Sequence, residues 1–551
     1  MSIDVYDVIQ VGYGPVSESL ALMLGRQGRQ VAVVERWTTR YPLPRAVCVD
    51  HELYRVLAAN GMGEILPSVT QPGPLYQWFN ADWKELLVID WSSPSISGGP
   101  EVNFVHQPTL EQALEDAVLQ QPTVDLHLGW EMTGATQDRD LVHVRLRHCE
   151  TGEEKTLSAR YLVGCDGANS LVRETVGGER EDRGFEADWL VIDVMLKDGA
   201  TIEKLGLPAA GQYCNPTRPT TIVPAGIRGD RVFRRWEFMR LPGERIEDLE
   251  SEEKVWSLLE RWAGPEDIEI VRHKVYNFRS LMASKWRAGR IMVAGDAAHV
   301  MPPFMGQGMC AGMRDAWNLQ WKLGFILDGK ADDRLLDTYE MERRPHVSQV
   351  TDISIYLGKI ICIPDSQAAA ERDKAFLDGS AEPPPPFPSL TSGIVQRAAD
   401  GSLAKGAGLL SPHVTIERGE DRMRLDAFVG ANFALYCGGV DPYAFLNPDV
   451  IQTLAALDVR IVSFDRDAPD GFVDLDGRMN VFFAANGWSA MLVRPDFYVY
   501  GGAVTPDDLP SLVDDFLSDL KSAGFIIPVP PSTSATAAQT SSTAMLASQP
   551  D

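Results

Sequence analysis

Three stretches rich in glycine and aspartate carry the chemistry open to this sequence. The first is Gly12-Tyr-Gly14-Pro15, with Glu35 further along. Bare glycine backbone lets a pyrophosphate come close, a helix N-terminus favours its charge, and an acid after the next strand accepts from a ribose hydroxyl. The third glycine of the usual G-x-G-x-x-G is Ser17 here, still small enough for close helix–strand packing. The ADP half of FAD or NAD is the ligand this spacing predicts, and a glycine turn in an unrelated α/β fold is the alternative. The second stretch runs from Tyr161 to Ser170 and delivers Asp166-Gly167 into a turn, with Arg173 close behind. An ordinary Asp-Gly turn has the same form. The third is Ala294-Gly295-Asp296-Ala-Ala-His299, followed by Met301-Pro-Pro303-Phe-Met-Gly306-Gln307-Gly308. An aspartate ending a buried strand can hold a polyol or ribose hydroxyl. The N–H groups of Gly306–Gly308, opening a long helix, suit a planar heterocycle that gains negative charge.

These stretches need elements to hold them. Residues 5–35 form a βαβ pattern: an apolar strand over 5–11, a helical spacing over 19–28, and a second buried strand over 30–35 (QVAVVE). Such uninterrupted apolar strands belong in a parallel sheet covered on both faces. Residues 290–294 (RIMVA) form another, followed by a helix over about 309–327. The intervening 181–279 alternates like an antiparallel sheet inserted into the nucleotide-binding fold. The expected domains are therefore 1–180 with 280–375, the inserted sheet 181–279, a Pro-rich linker 376–404, a small α/β unit 405–530 and a disordered tail 531–551.

Composition narrows the function. The 551 residues carry 51 Lys plus Arg against 77 Asp plus Glu, a formal net charge of −26. That field repels nucleic acid and anionic membrane surfaces. Seven scattered cysteines without C-x-x-C argue against a disulfide framework and a structural zinc site. With no long apolar run and no basic leader pattern, a cytoplasmic setting is expected.

Taken in order, the three stretches resemble the class A flavoprotein monooxygenases, the FAD-dependent aromatic hydroxylases. Pro44-Arg45-Ala46 and His106-Gln107-Pro108 match flavin-contacting positions of that family. Pro216-Thr-Arg218-Pro219, the segment 234–239 (RRWEFM) and the segment 312–319 (GMRDAWNL) look like the 3-(3-hydroxyphenyl)propionate hydroxylase branch. The resemblance implies a Rossmann-like FAD domain, an inserted substrate-binding sheet and a C-terminal thioredoxin-like domain.

Carried over residue by residue, Gly12, Gly14 and Pro15 would cradle the FAD pyrophosphate, and Glu35 with Arg36 would hold the adenosine end. Arg45, Gln107, Asp166, Gly167, Gly295 and Asp296 would serve the pyrophosphate, ribityl chain and nicotinamide access. Gly306, Gln307, Gly308 and Met309 would lie along the isoalloxazine edge, and Pro303 near its reactive face. Cys310 replaces an asparagine common in the family.

NADH or NADPH would reduce the flavin. Dioxygen would then give a C4a-hydroperoxide that hydroxylates a phenolic ring, ortho to its hydroxyl, on a hydroxyphenylpropionate or a relative. Asp50 and His51 stand as candidate bases, with helix capping as the competing role. Tyr213, Arg218 and Phe238 stand as candidate substrate contacts, against a sheet-core or ion-paired role. A small aromatic partner, no nucleic acid, no membrane and a homodimer complete the expectation. The alternatives are a tailoring hydroxylase of a larger aromatic or polyketide, and a flavin reductase or binding module without oxygenation.

Overall fold

The computed structural model describes residues 5–40, 43–465 and 471–528; the expected disordered tail lies outside them. Its first sheet is built on parallel strands in the order Ile291–Val293, Glu154–Gly164, Tyr6–Val11, Val31–Glu35 and Val124–Leu128. The chain fills one side of Tyr6–Val11 first and then crosses to the other. The carboxyl ends of Tyr6–Val11 and Glu154–Gly164 therefore meet at the reversal of strand order, where α/β sheets hold ligands. The helix Pro15–Arg26 packs across this sheet against the helices Gln107–Leu119 and Gly308–Leu327. Proline at its first position and glycine before it start that helix where the glycine motif predicts.

The inserted unit is an antiparallel sheet of long strands, Arg180–Leu196, Thr220–Arg228, Arg231–Met239 and Ile268–Ala283. It is larger than its sequence boundaries suggested. Leu75–Phe79 and Glu85–Asp90, from the segment assigned to the FAD domain, extend the same sheet, and Leu75–Phe79 runs parallel to Gly211–Tyr213. No local pattern distinguishes a strand that pairs nearby from one that pairs more than a hundred residues away.

One face of the inserted sheet is apolar (Leu190, Ile192, Ile222, Trp236, Phe238) and is covered by Glu252–Leu259 and its neighbours. The other face looks towards the FAD domain. After a Pro-rich segment without helix or strand, residues 434–503 form a four-stranded mixed sheet in the order Arg460–Ser463, Ala434–Cys437, Ala490–Val493, Val499–Ala503. The helix Leu509–Ser522 follows. No helix among the described residues is long and apolar enough to cross a membrane.

Candidate functional site

Gly12 sits at the reversal point with φ +98°, and a Cβ there would lie 2.3 Å from the Cys165 carbonyl oxygen. Only glycine lets the two strand ends come this close. Gly14 opens onto free space at the N-terminus of Pro15–Arg26, which has no side-chain cap. Its first N–H groups are therefore left for a ligand. Glu35 accepts from the backbone N–H of Tyr13 at 2.8 Å and of Trp37 at 3.0 Å, and so fixes the glycine turn itself; Arg36 lies over the Trp37 ring.

Asp166 caps the next helix by accepting from Leu171 and Val172 N–H, while its other carboxylate oxygen is buried without a partner. Burial raises its carboxyl above the usual range. Gly167 turns the chain with φ +76°. Asp296 is exposed and makes no hydrogen bond to another described residue, and desolvation by the protein around it raises its carboxyl.

Gly295 is held by its N–H to Asp315 at 3.0 Å, and Asp315 also takes the His299 Nε2 at 2.7 Å and Arg343 Nε at 2.8 Å. Asp315, unassigned from the sequence, is thus the buried hub that sets the Gly-Asp-Ala-Ala-His turn. A charged Arg314-Asp315 pair inside an apolar helix was the available signal.

Pro303–Met305 form a short turn, and Gly306 follows with φ +64°; a Cβ there would lie 2.5 Å from Cys48 Sγ. The next helix starts at Gly308 with no side-chain cap, so its first N–H groups have no partner within the helix. The Gln307 side chain turns inward, bonding Asp50 at 3.1 Å and Arg314 at 2.9 Å. Cys310 is buried against the Cys48 carbonyl, and burial raises its thiol strongly.

The Gln107 side chain accepts from the backbone N–H of Arg45 (2.7 Å) and Ala46 (2.6 Å) and donates to Glu111. Its side-chain oxygen therefore fixes the Pro44–Ala46 loop. The same loop is gripped from the inserted sheet: Arg235 donates to the carbonyls of Arg45 (2.6 Å) and Pro44 (3.0 Å), and Arg272 also reaches Pro44. Asp193 stands between the two guanidinium groups. These residues fit a dinucleotide: an uncapped helix end, glycines at close approach, an Asp166 oxygen buried without a partner and an Asp296 carboxylate free of hydrogen bonds to described residues.

The candidate bases and substrate contacts are engaged in other roles. Asp50 caps the helix His51–Leu57 by accepting from Leu53 N–H at 3.0 Å, and its other oxygen meets Arg314 and Gln307. Burial would raise its carboxyl, but Arg314 and His51 hold it below the usual range. It is the capping role that the geometry realises, and a carboxylate held so is a poor proton acceptor. His51 Nδ1 lies 3.0 Å from Ser97 Oγ, and its Nε2 faces Glu101 at the half-exposed rim.

Tyr213 donates to Ala81 O at 3.0 Å, accepts from Arg261 at 2.8 Å and stacks on Trp83. Arg218 pairs with Glu244 and donates to Met239 O. Phe238 packs on the covered outer face of the inserted sheet. None of these three is placed on the face that meets the FAD domain, because a strand's neighbours alternate faces and the register was not legible.

Fold and cleft together define a nucleotide-binding flavoprotein with an inserted substrate sheet. A model of an FAD binding domain matches residues 5–354, and a model of the HcaD C-terminal domain matches 406–519. The chain belongs to the FAD-dependent aromatic hydroxylases, the class A flavin monooxygenases. It is 35% identical to a probable NADH-specific resorcinol 4-hydroxylase of Rhodococcus jostii (strain RHA1), over 93% of this chain and 94% of that one. It is 33% identical to a 3-(3-hydroxy-phenyl)propionate/3-hydroxycinnamic acid hydroxylase of Mycobacterium sp. (strain KMS), over 90% and 88%. The fold is shared with the flavin-dependent monooxygenase PieE (TM-score 0.78, 22% identity, 94% of this chain and 100% of that one). Aklavinone-11 hydroxylase has it too (TM-score 0.75, 24% identity, 95% and 100%).

Proposed function

We propose that this protein hydroxylates a phenolic ring ortho to an existing hydroxyl, with NADH as electron donor and dioxygen as co-substrate. A cytoplasmic setting and a homodimer belong to the same reading. The carrying observation is the clamp of Arg235 and Arg272 on the Pro44 and Arg45 carbonyls, which makes the inserted sheet and the cofactor loop one unit. A ring bound on the sheet's inner face is then held at a fixed distance from the flavin cradle.

Gly12, Gly14, Pro15, Asp166, Gly167, Gly295 and Asp296 would hold the dinucleotide portion of FAD, with Glu35, Arg36 and Gln107 supporting the turns around it. Backbone of Gly306–Met309 would line the flavin ring and Pro303 its reactive face. Bound FAD supplies the hydride acceptor and the oxygen chemistry; the protein supplies orientation and exclusion of water. The C-terminal unit is read as a thioredoxin-like fold that packs and does not exchange thiols: Cys437 is buried, and its thiol is pushed up to about 12 by burial.

The test is oxidation of NADH and NADPH by the FAD-loaded protein across a panel of phenols, with hydroxylated product and hydrogen peroxide both quantified. Product matching NADH consumed on one phenol is the expected result. Peroxide alone with every phenol would mean the protein is a flavin reductase.

A further inference from the structure

The inner face of the inserted sheet carries a carboxylate that nothing above has used. Glu237 lies between Arg235 and Met239 on Arg231–Met239, with Thr221 opposite on one side and Val191 on the other. It is 7% exposed, and no described group hydrogen-bonds to it; its nearest charge is Arg235, an ion-pair partner at 3.7 Å that also donates to Asp193 and to the Pro44 and Arg45 carbonyls. A buried carboxylate without donors is costly unless a ligand completes it.

Its position fits such a ligand. Towards one end of this face, Arg235, Asp193 and Arg272 hold the cofactor loop. Towards the other, Met239 and Trp189 join Phe304 of the turn that precedes the flavin-edge glycines. Glu237 stands between these two landmarks, with Val223 on the adjoining strand. Beside it, Thr221 donates to Gln212 (2.7 Å) and Gln212 donates to the Tyr76 hydroxyl (3.0 Å), so the Tyr76 O–H is left to donate. Burial pushes Tyr76 up to about 12, and it keeps that proton at working pH; the Glu237 charge is felt there too.

Resting on the hydroxylase reading, we propose that Glu237 accepts the substrate's ring hydroxyl and Tyr76 donates to it, and that this pair selects an uncharged phenol over a phenolic acid. A phenol O–H is one donor and one acceptor, which this pair matches. In the reaction the proton passes from the phenol oxygen to a Glu237 carboxylate oxygen. The electron pair of the broken O–H bond stays on the substrate oxygen and enriches the ortho carbon. A second carboxylate, brought in on a propionate side chain, would find no cation left over, since Arg235 and Arg272 are already balanced by Asp193 and Glu237.

The charged and titratable groups facing Glu237 are Arg235, Asp193, Arg272 and Tyr76. Burial raises the Glu237 carboxyl, so kcat/KM should rise with pH through a step above the ordinary carboxylate range.

The experiment compares wild-type holoenzyme with E237Q and Y76F on resorcinol and on 3-(3-hydroxyphenyl)propionate. It reads kcat, KM, the pH profile and, separately, dissociation constants from the change in flavin absorbance on binding. Wild type should prefer resorcinol. E237Q should lower kcat on resorcinol about a hundredfold, lose the acidic limb of the profile and shift the binding ratio towards the acid by about tenfold. Y76F should raise the resorcinol dissociation constant and keep that limb. Unchanged kcat and pH profile in E237Q, or a wild type that prefers the acid, would overturn the proposal. A protein that binds phenols but hydroxylates none would remove the hydroxylase reading, and the two binding ratios would still decide whether Glu237 selects against the carboxylate.

Discussion

Asp50 and Glu237 are both buried carboxylates near the cofactor cleft, and what surrounds each decides what it can do. Asp50 has a guanidinium, an amide and a helix N-terminus, all stabilising its charge. Glu237 has only the Arg235 guanidinium, 3.7 Å away, and no hydrogen bond to a described residue. A proton acceptor needs a carboxylate whose affinity for protons has been raised, so environment separates the two although the residue types are nearly the same. Asp50→Asn keeps an effective helix cap and removes only the ion pair with Arg314. It should cost about 3 kcal/mol of stability, as uncoupling a buried pair does, visible as a lower Tm. The kcat of the folded holoenzyme should fall far less than in E237Q; an equal fall would restore Asp50 as the base.

At the scale of elements, the turns were legible and the strand faces were not. Gly12, Gly167, Gly295 and Gly306 all take positive φ, and such positions announce themselves in sequence because few other residues tolerate them. Phe238 and Glu237 are adjacent in a strand, and a reading that is one residue out exchanges the covered outer face for the ligand face. Arg314 and Asp315 lay in a segment already marked by resemblance, but their partners come from other elements and only the fold brings them together.

The helices Gly308–Leu327 and Asp337–Ile361 meet the C-terminal unit through such partners. Glu342 takes Lys322 at 2.6 Å and Arg494 at 2.7 Å, and Arg494 also holds Asp496, all fully buried. Burial would raise the Glu342 carboxyl, yet Arg494 and Lys322 hold it far below the usual range. A carboxyl depressed in the folded state stabilises it above the unfolded pKa, and that contribution is lost as pH falls below the ordinary carboxylate range. Hydrogen-exchange protection factors across 490–500, corrected for the intrinsic rate at each pH, should therefore fall on acidification. Glu342→Gln should show that lowered protection already at pH 7, with a loss of about 3–5 kcal/mol for the buried Lys322, which loses its carboxylate partner. Wild-type protection in the variant would mean the apolar contacts alone hold the junction.

For the whole molecule, the core does not stop at the domain boundary. Phe433, Leu435, Tyr500 and Phe516 of the C-terminal unit belong to the same apolar cluster as Trp321 and Phe325 of the FAD domain, with Trp321 and Phe433 ring centroids 5.7 Å apart. Tyr498 donates to Glu52 at 2.8 Å, and Arg55 pairs with Asp426, tying the same unit to the helix that follows the cofactor loop. A chain ending at residue 404 would leave this surface in water and should be insoluble. A soluble, yellow product of that length would show that the C-terminal unit is dispensable.

The early strands Leu75–Phe79 and Glu85–Asp90 have a consequence for synthesis. Their bridge to the inserted sheet, Gly211–Tyr213, is translated more than a hundred residues later, on the order of ten seconds at ordinary elongation rates. Through that interval Trp78, which ends fully buried, faces the crowded cell on a nascent chain with an unpaired edge. The yield of native enzyme should therefore track the holding chaperones of the expression host.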